Sequence, residues 1–165
     1  MLKIPLFYVK DKQAFSKSGS IPRLLGNPVE IAKDLKNDGC KLIHIIDEDA
    51  LKGMTKNLDV YSAMTFFINV QLECAPREEI VRKLLSLRCR VVLPPDTDIS
   101  SYGEKNLLVA KLPSGYKGKA EGFRDVIVDN EKDAERMIGL KKRVMFVGEE
   151  SKNKKLWGQI SPLSL

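Results

Sequence analysis

Residues 27–47 read N-P-V-E-I-A-K-D-L-K-N-D-G-C-K-L-I-H-I-I-D, and the order of signals in them decides the fold class. Asn27 offers a side-chain acceptor to the orphan donors of a helix start, Pro28 suits the first helical position, and Glu30 sits three residues after the cap. Val29, Ala32 and Leu35 recur at helical spacing, and Gly39 suits a left-handed stop. Leu42–Ile46 then runs apolar on both sides of His44, the pattern of a strand buried on both faces. A helix followed at once by a doubly buried strand is half of a β-α-β unit.

The alternation extends in both directions. Ile4–Val9 precedes as a first buried strand. Downstream, Phe66–Leu72 reads as a third strand and Pro76–Leu87 as an amphipathic helix with Ile80, Val81, Leu84, Leu85 and Leu87 on its apolar side. Arg90–Leu93 is a fourth strand, ended by Pro94-Pro95, and Leu107–Leu112 a fifth. Asp125–Val128 is extended, Asn130 caps a helix that stops at Gly139, and Arg143–Val147 is the last clear strand. Near-continuous apolar strands alternating with helices predict an α/β fold with a mainly parallel sheet covered on both faces. A doubly wound open sheet and a (β/α) barrel both fit. In either, ligands meet the carboxyl ends of the strands, here near Tyr8, Asp47, Cys74, Pro94, Lys111 and Gly148.

Composition bounds the rest. The 165 residues, 43% of them hydrophobic, suit one domain spanning 1–165, and no apolar run approaches a membrane span. Met1-Leu2-Lys3-Ile4-Pro5 lacks a signal-peptide core, and the three cysteines form no CxxC, so a reduced, cytoplasmic protein is expected. The 28 Lys+Arg against 22 Asp+Glu leave a net +6. The densest basic group, Lys152, Lys154 and Lys155, either neutralises phosphates or forms a solvated loop. Acidic residues interleave elsewhere, so the loop reading is preferred and a nucleic-acid partner is the least favoured.

Gly26–Ala32 together with Leu42–Ala50 resembles the histidine-biosynthesis barrel family, specifically the isomerase of phosphoribosylformimino aminoimidazole carboxamide ribotide. Ile4–Asp11 has the cadence of that family's first strand and turn, and Val109–Leu112 through Gly122-Phe123 resembles its fifth strand and following loop. The resemblance implies a TIM barrel whose acid/base pair is an Asp ending strand one and another ending strand five. Tyr8 and Lys111 stand at those positions. Phenols and ammonium groups titrate near ~10 when unperturbed, so neither is an obvious substitute for a carboxylate. The family's Gly-Gly-Gly phosphate stretch is replaced by Leu72-Glu73-Cys74, and its Gly-Thr by Pro94-Pro95. Against the roughly 250 residues of a full barrel, this length implies an incomplete TIM-barrel-like fold with about six or seven mainly parallel strands. Such a fold lacks the phosphate site after strands seven and eight, and its open edges favour a homodimer.

The resemblance and its departures together imply a diverged relative that has lost ribotide isomerisation and acts as a small-anion-binding or assembly protein. The alternative is an isomerase-like enzyme on a phosphorylated sugar or ribotide with altered acid/base residues. No residue is assigned as catalytic. The candidate cleft-lining residues are Tyr8, Asp47 and Lys111, with Lys10, His44 and Cys74 behind them, and the expected ligand is a small anionic or phosphorylated metabolite. Each has a plainer reading. His44 is a packed histidine, Cys74 a small core residue, and Asp47-Glu48-Asp49 either a cation or hydroxyl site or a charged loop. One histidine and dispersed cysteines make no zinc set, and no cofactor is implied. The glycines of Ser114–Gly122 lack the ending of a phosphate loop and read as a lid or a flexible connection.

Overall fold

The computed structural model describes residues 1–163. In chain order its elements are β1 (Leu2–Lys10), β2 (Gln13–Ser18), β3 (Ile21–Gly26), α1 (Pro28–Asn37), β4 (Leu42–Asp47), α2 (Glu48–Leu51), α3 (Leu58–Met64), β5 (Asn69–Glu73), α4 (Glu78–Ser86), β6 (Arg90–Leu93), β7 (Leu108–Lys111), β8 (Asp125–Val128), α5 (Glu131–Gly139), β9 (Arg143–Val147) and β10 (Gly158–Pro162). Of the ten strands, β2 and β3 form a hairpin, and the other eight run parallel in the order β1-β4-β5-β6-β7-β8-β9-β10. The ring closes because β10 pairs in parallel with β1, Ile160 opposite Ile4. The hairpin pairs antiparallel with the far end of β1, Tyr8 opposite Phe15, beyond the stretch that β10 occupies.

The expected six or seven strands are therefore corrected to eight, and the expected incomplete barrel to a closed one. β9 and β10 are the seventh and eighth barrel strands, whose absence the chain length implied. Economy in the crossovers makes room for them. The β6–β7, β7–β8 and β9–β10 connections carry no α-helix, only a 3-10 turn at Lys105–Leu107 before β7. With the ring sealed, no open edge is left on it to call for a second chain, so that argument for a dimer lapses.

Local chemistry explains the elements. Asn27 accepts from the amides of Val29 (2.9 Å) and Glu30 (3.3 Å) to cap α1, and Asn130 accepts from Asp133 (2.9 Å) to cap α5. The third strand starts later than its apolar sequence predicts. Phe67 and Ile68 donate their amides to the carbonyl of Met64, holding 66–68 as the closing turn of α3, and Phe66 is left 90% exposed. Two apolar layers result. Ile4, Leu6, Val92, Val109, Ile127, Met145 and Ile160 fill the barrel. Phe7, Ile43, Ile45, Val70, Leu72 and Val91 belong to the outer layer with Ala32, Ile80, Leu84 and Met137 of the helices. Ile99, Tyr102 and Phe123, from the helix-free crossovers, join that outer layer where helices are missing.

Candidate functional site

A cleft of about 630 Å³ opens over the carboxyl ends of β5, β6 and β7. Its walls are mainly apolar, with Leu51, Val92, Leu93, Leu112 and Tyr116 beside Pro76, Pro94, Pro95 and Pro113. Those prolines have no amide hydrogen to give a ligand. The polar groups on the lining are Glu73, Asp96, the Cys74 thiol and Lys111, its only cation.

Glu73 organises the floor. Lys111 Nζ donates to one carboxylate oxygen at 2.8 Å, and His44 Nε2 lies 2.7 Å from the other. Burial pushes the Glu73 carboxyl upward, but the hydrogen bond of His44 and the Lys111 ammonium outweigh it and hold the group down at about 2. The histidine's tautomer follows from its neighbours. Arg90 Nε can only donate, and it meets Gln71 Oε1 at 3.0 Å, so the amide NH2 of Gln71 faces His44 Nδ1 at 2.9 Å. Nδ1 is then an acceptor, and the ring hydrogen sits on Nε2, aimed at Glu73.

The network continues down the inside of the barrel. Arg90 pairs with Asp125 at 2.8 Å, and Asp125 also accepts from Arg143 (2.6 and 2.8 Å) and Arg124 (3.2 Å). The guanidinium groups of Arg143 and Arg90 lie 4.0 and 5.3 Å from the ring centre of Trp157. A chain of polar side chains thus runs from Lys111 at the carboxyl rim to Arg143 at the opposite mouth, through a ring otherwise filled by aliphatic groups.

The structure brings Lys111 and Cys74 onto the cleft, with His44 behind Glu73, and sets the other candidates elsewhere. Tyr8, half-buried at the end of β1, lies outside the cleft under the Lys17 ammonium, 4.5 Å from its ring centre, and Lys17 pairs with Glu48. Lys10 is exposed where β1 meets the hairpin. Asp47 is buried beneath the rim, where it caps α2 through the Ala50 amide (2.9 Å) and accepts from Asn57 (3.1 Å) and the Tyr61 hydroxyl (2.7 Å). Burial raises its carboxyl above the ordinary range, and these bonds offset only part of that. Asp49 accepts from the Asp11 amide (2.9 Å), and Asn57 accepts from the Lys12 amide (2.8 Å), so this cluster fastens the left-handed β1–β2 turn at Asp11 and Lys12. Burial first, then the charges of Asp47 and Glu73, pushes the Cys74 thiol up to about 12, where it holds no nucleophilic thiolate at neutral pH.

Sequence reasoning saw Glu73 only as part of the stretch that replaces the family's phosphate-binding glycines and missed its pairing. The available signal was parity: Asn69, Gln71 and Glu73 alternate with Val70 and Leu72, which marks one polar face on a strand that has no solvent face. The Ser114–Gly122 segment is tied to α5. Gly115 N donates to Asp133 at 2.9 Å, and Arg136 donates to the carbonyls of Gly118 (2.7 Å) and Tyr116. Among the described residues, no group of three or more His, Cys, Asp or Glu side chains is placed to hold a metal ion, and no helix is long and apolar enough to cross a membrane.

No family model matches the chain. It is 36% identical over 117 residues to the 1-(5-phosphoribosyl)-5-((5-phosphoribosylamino)methylideneamino) imidazole-4-carboxamide isomerase 2 of Photorhabdus laumondii, covering 62% of this chain and 45% of that protein. The isomerase of the same description from Methanocaldococcus jannaschii is 35% identical over 94 residues, 53% of this chain and 40% of that one. An uncharacterised protein of the same archaeon is 29% identical over 122 residues, 65% of this chain and 54% of that one. The chain spans about half the length of the curated relatives it matches. Partial similarity and a closed eight-stranded parallel barrel together relate it, distantly, to the ribotide isomerase barrels.

Proposed function

We propose that this distant relative of the ribotide isomerase barrels has left the isomerase reaction and holds a small molecule, with an apolar body and one anionic group, in the cleft over β5–β7. The observation that carries this reading is the cleft's make-up: an apolar, proline-rich wall with a single ammonium group already paired to a partly buried carboxylate. An Amadori-type isomerisation needs one group to protonate the ring oxygen and another to take a carbon-bound proton. Lys111 lies on the cleft, while Tyr8 sits under Lys17 outside it, which supports the loss of a paired acid and base.

Charge narrows the ligand. Glu73 and Asp96 leave the lining negative by one, which opposes a phosphate dianion. Prolines supply no amides to cradle one. Near the seventh and eighth strands, the Ser151 amide is spent on Gln159 at 3.1 Å, and Glu149 and Glu150 follow β9. Lys111 has three donors and gives one to Glu73, so it retains hydrogens for a monocarboxylate.

Thermal-shift titration tests this directly. Aromatic and medium-chain monocarboxylates raise the melting temperature of the native chain, ribose 5-phosphate does not, and Lys111→Met abolishes the rise. Turnover of the ribotide by the native chain, lost in Lys111→Met, would overturn the binding reading in favour of an enzyme with rewired acid/base groups. A shift by sugar phosphates alone would overturn the ligand class.

A further inference from the structure

Basic residues that look scattered along the sequence are collected at one end of the barrel. Lys41 lies in the turn that feeds β4, Arg88 in that before β6, Lys105 before β7, Arg124 before β8, Lys141 before β9 and Lys155 before β10, and all six are exposed. The turn before β5 carries Phe66 instead, its ring 90% exposed. Asp38, Glu104 and Glu121 are exposed acidic residues in the same set of turns, and exposed Asp98 lines one groove with Lys105 and Glu121. At the centre of this face Arg90, Arg124 and Arg143 share one buried carboxylate, Asp125, so two guanidinium charges remain uncompensated there, beside the half-buried Trp157.

We propose that this amino-terminal face of the barrel docks single-stranded nucleic acid. A rim of cations with one bare aromatic among them matches a phosphodiester backbone with splayed bases: the ammonium and guanidinium groups neutralise phosphates, and the Phe66 ring offers a stacking surface that any base can use. An anionic membrane surface shares the charge requirement but needs a broader apolar insertion face than one phenyl ring in a turn. The cleft at the opposite end plays no part in this docking.

The test is fluorescence anisotropy of a labelled oligouridylate of about 20 nucleotides, longer than a typical single-strand site, with the deoxythymidylate counterpart distinguishing RNA from DNA. Titrations run from about 50 to 200 mM salt. Binding should be present at the low end, weaken with salt, and quench the chain's single tryptophan. Replacing Lys41, Lys105, Lys141 and Lys155 together with Gln should flatten the log–log salt slope by about 3, at about 0.7 per phosphate contact. Phe66→Ala should weaken binding about tenfold and leave the slope unchanged. Thermal melting verifies folding, and if the fourfold variant melts early, the four single variants carry the same slope test. No anisotropy change at low salt would overturn the proposal. So would an unaltered slope in the lysine variants, or capture by phosphatidylserine–phosphatidylcholine vesicles with none by the oligonucleotides.

Discussion

The two mouths of the barrel are joined by one chain of side chains, yet they solve opposite electrostatic problems. At the carboxyl mouth a single ammonium, Lys111, meets a carboxylate that is already hydrogen-bonded to His44. At the amino mouth a single carboxylate, Asp125, with no exposed surface, meets the guanidinium groups of Arg90, Arg124 and Arg143. Nearly every donor at the amino end is committed to that one acceptor, which makes it a clamp on the starts of β6, β8 and β9. The carboxyl end keeps one cation with hydrogens to spare, which suits it to a ligand. The lesson is that charge in a barrel interior stabilises where it is over-subscribed and binds where it is under-used.

Breaking the clamp should have the largest effect. Asp125→Ala leaves the nearly buried Arg90 without a counter-charge and should cost about 3–5 kcal/mol in urea unfolding. A loss under about 1 kcal/mol would mean that the arginines find water instead. Acid should act next, at the other mouth. Glu73 is depressed to about 2, so its contribution is present above the ordinary carboxylate value near ~4.3 and is lost as pH falls through its folded value. That contribution amounts to about 3 kcal/mol at most, and Glu73→Gln should remove it from the pH dependence measured between about 5 and 2. Asp125 is lowered too, its burial outweighed by Arg143 and Arg90, so part of the acid slope should survive in Glu73→Gln.

Cutting the link between the mouths should cost less. Gln71→Met strands Arg90 Nε and His44 Nδ1 inside the ring, an expected loss of about 1–3 kcal/mol by calorimetry, with the ligand-induced shift at the cleft reduced as His44 loses the partner that orients it toward Glu73. The smallest effect belongs outside both mouths. Asn27→Ala removes the cap of α1 and should cost about 1 kcal/mol with no change in ligand or oligonucleotide binding.

The sequence made the outer layer legible and left much of the ring closure and the site hidden. Doubly buried strands such as Leu42–Asp47 and Asp125–Val128 announce themselves through apolar runs, and Asn27 and Asn130 mark their helices. β10 does not: Gly158-Gln159-Ile160-Ser161-Pro162 has one aliphatic residue because its outward face carries no helix and Gln159 bonds locally to Gly148 O and Ser151 N. The β2–β3 hairpin is similarly quiet, with Ile21 and Leu24 exposed. Lys111 was readable as a strand end over a ligand site. Its tie to Glu73 and His44 was not, because that pairing depends on the register between β4, β5 and β7. Asp47 follows Ile46, the residue in register with Tyr8, so it takes the opposite face of its strand and works from beneath the rim. The gathering of cations at one end is invisible in a linear reading, since it appears only when every connection returns to the same level.

The pairing of β10 onto β1, with Leu2 opposite Gly158, also sets the timetable of biosynthesis. β1 must wait with one hydrogen-bonding edge unprotected while the six ring strands between it and β10 are made, because the neighbour that seals it is translated after all of them. Each nascent copy therefore passes through a stage that resembles an unfinished sheet, when a chaperone or a neighbouring nascent chain can reach what the mature ring conceals.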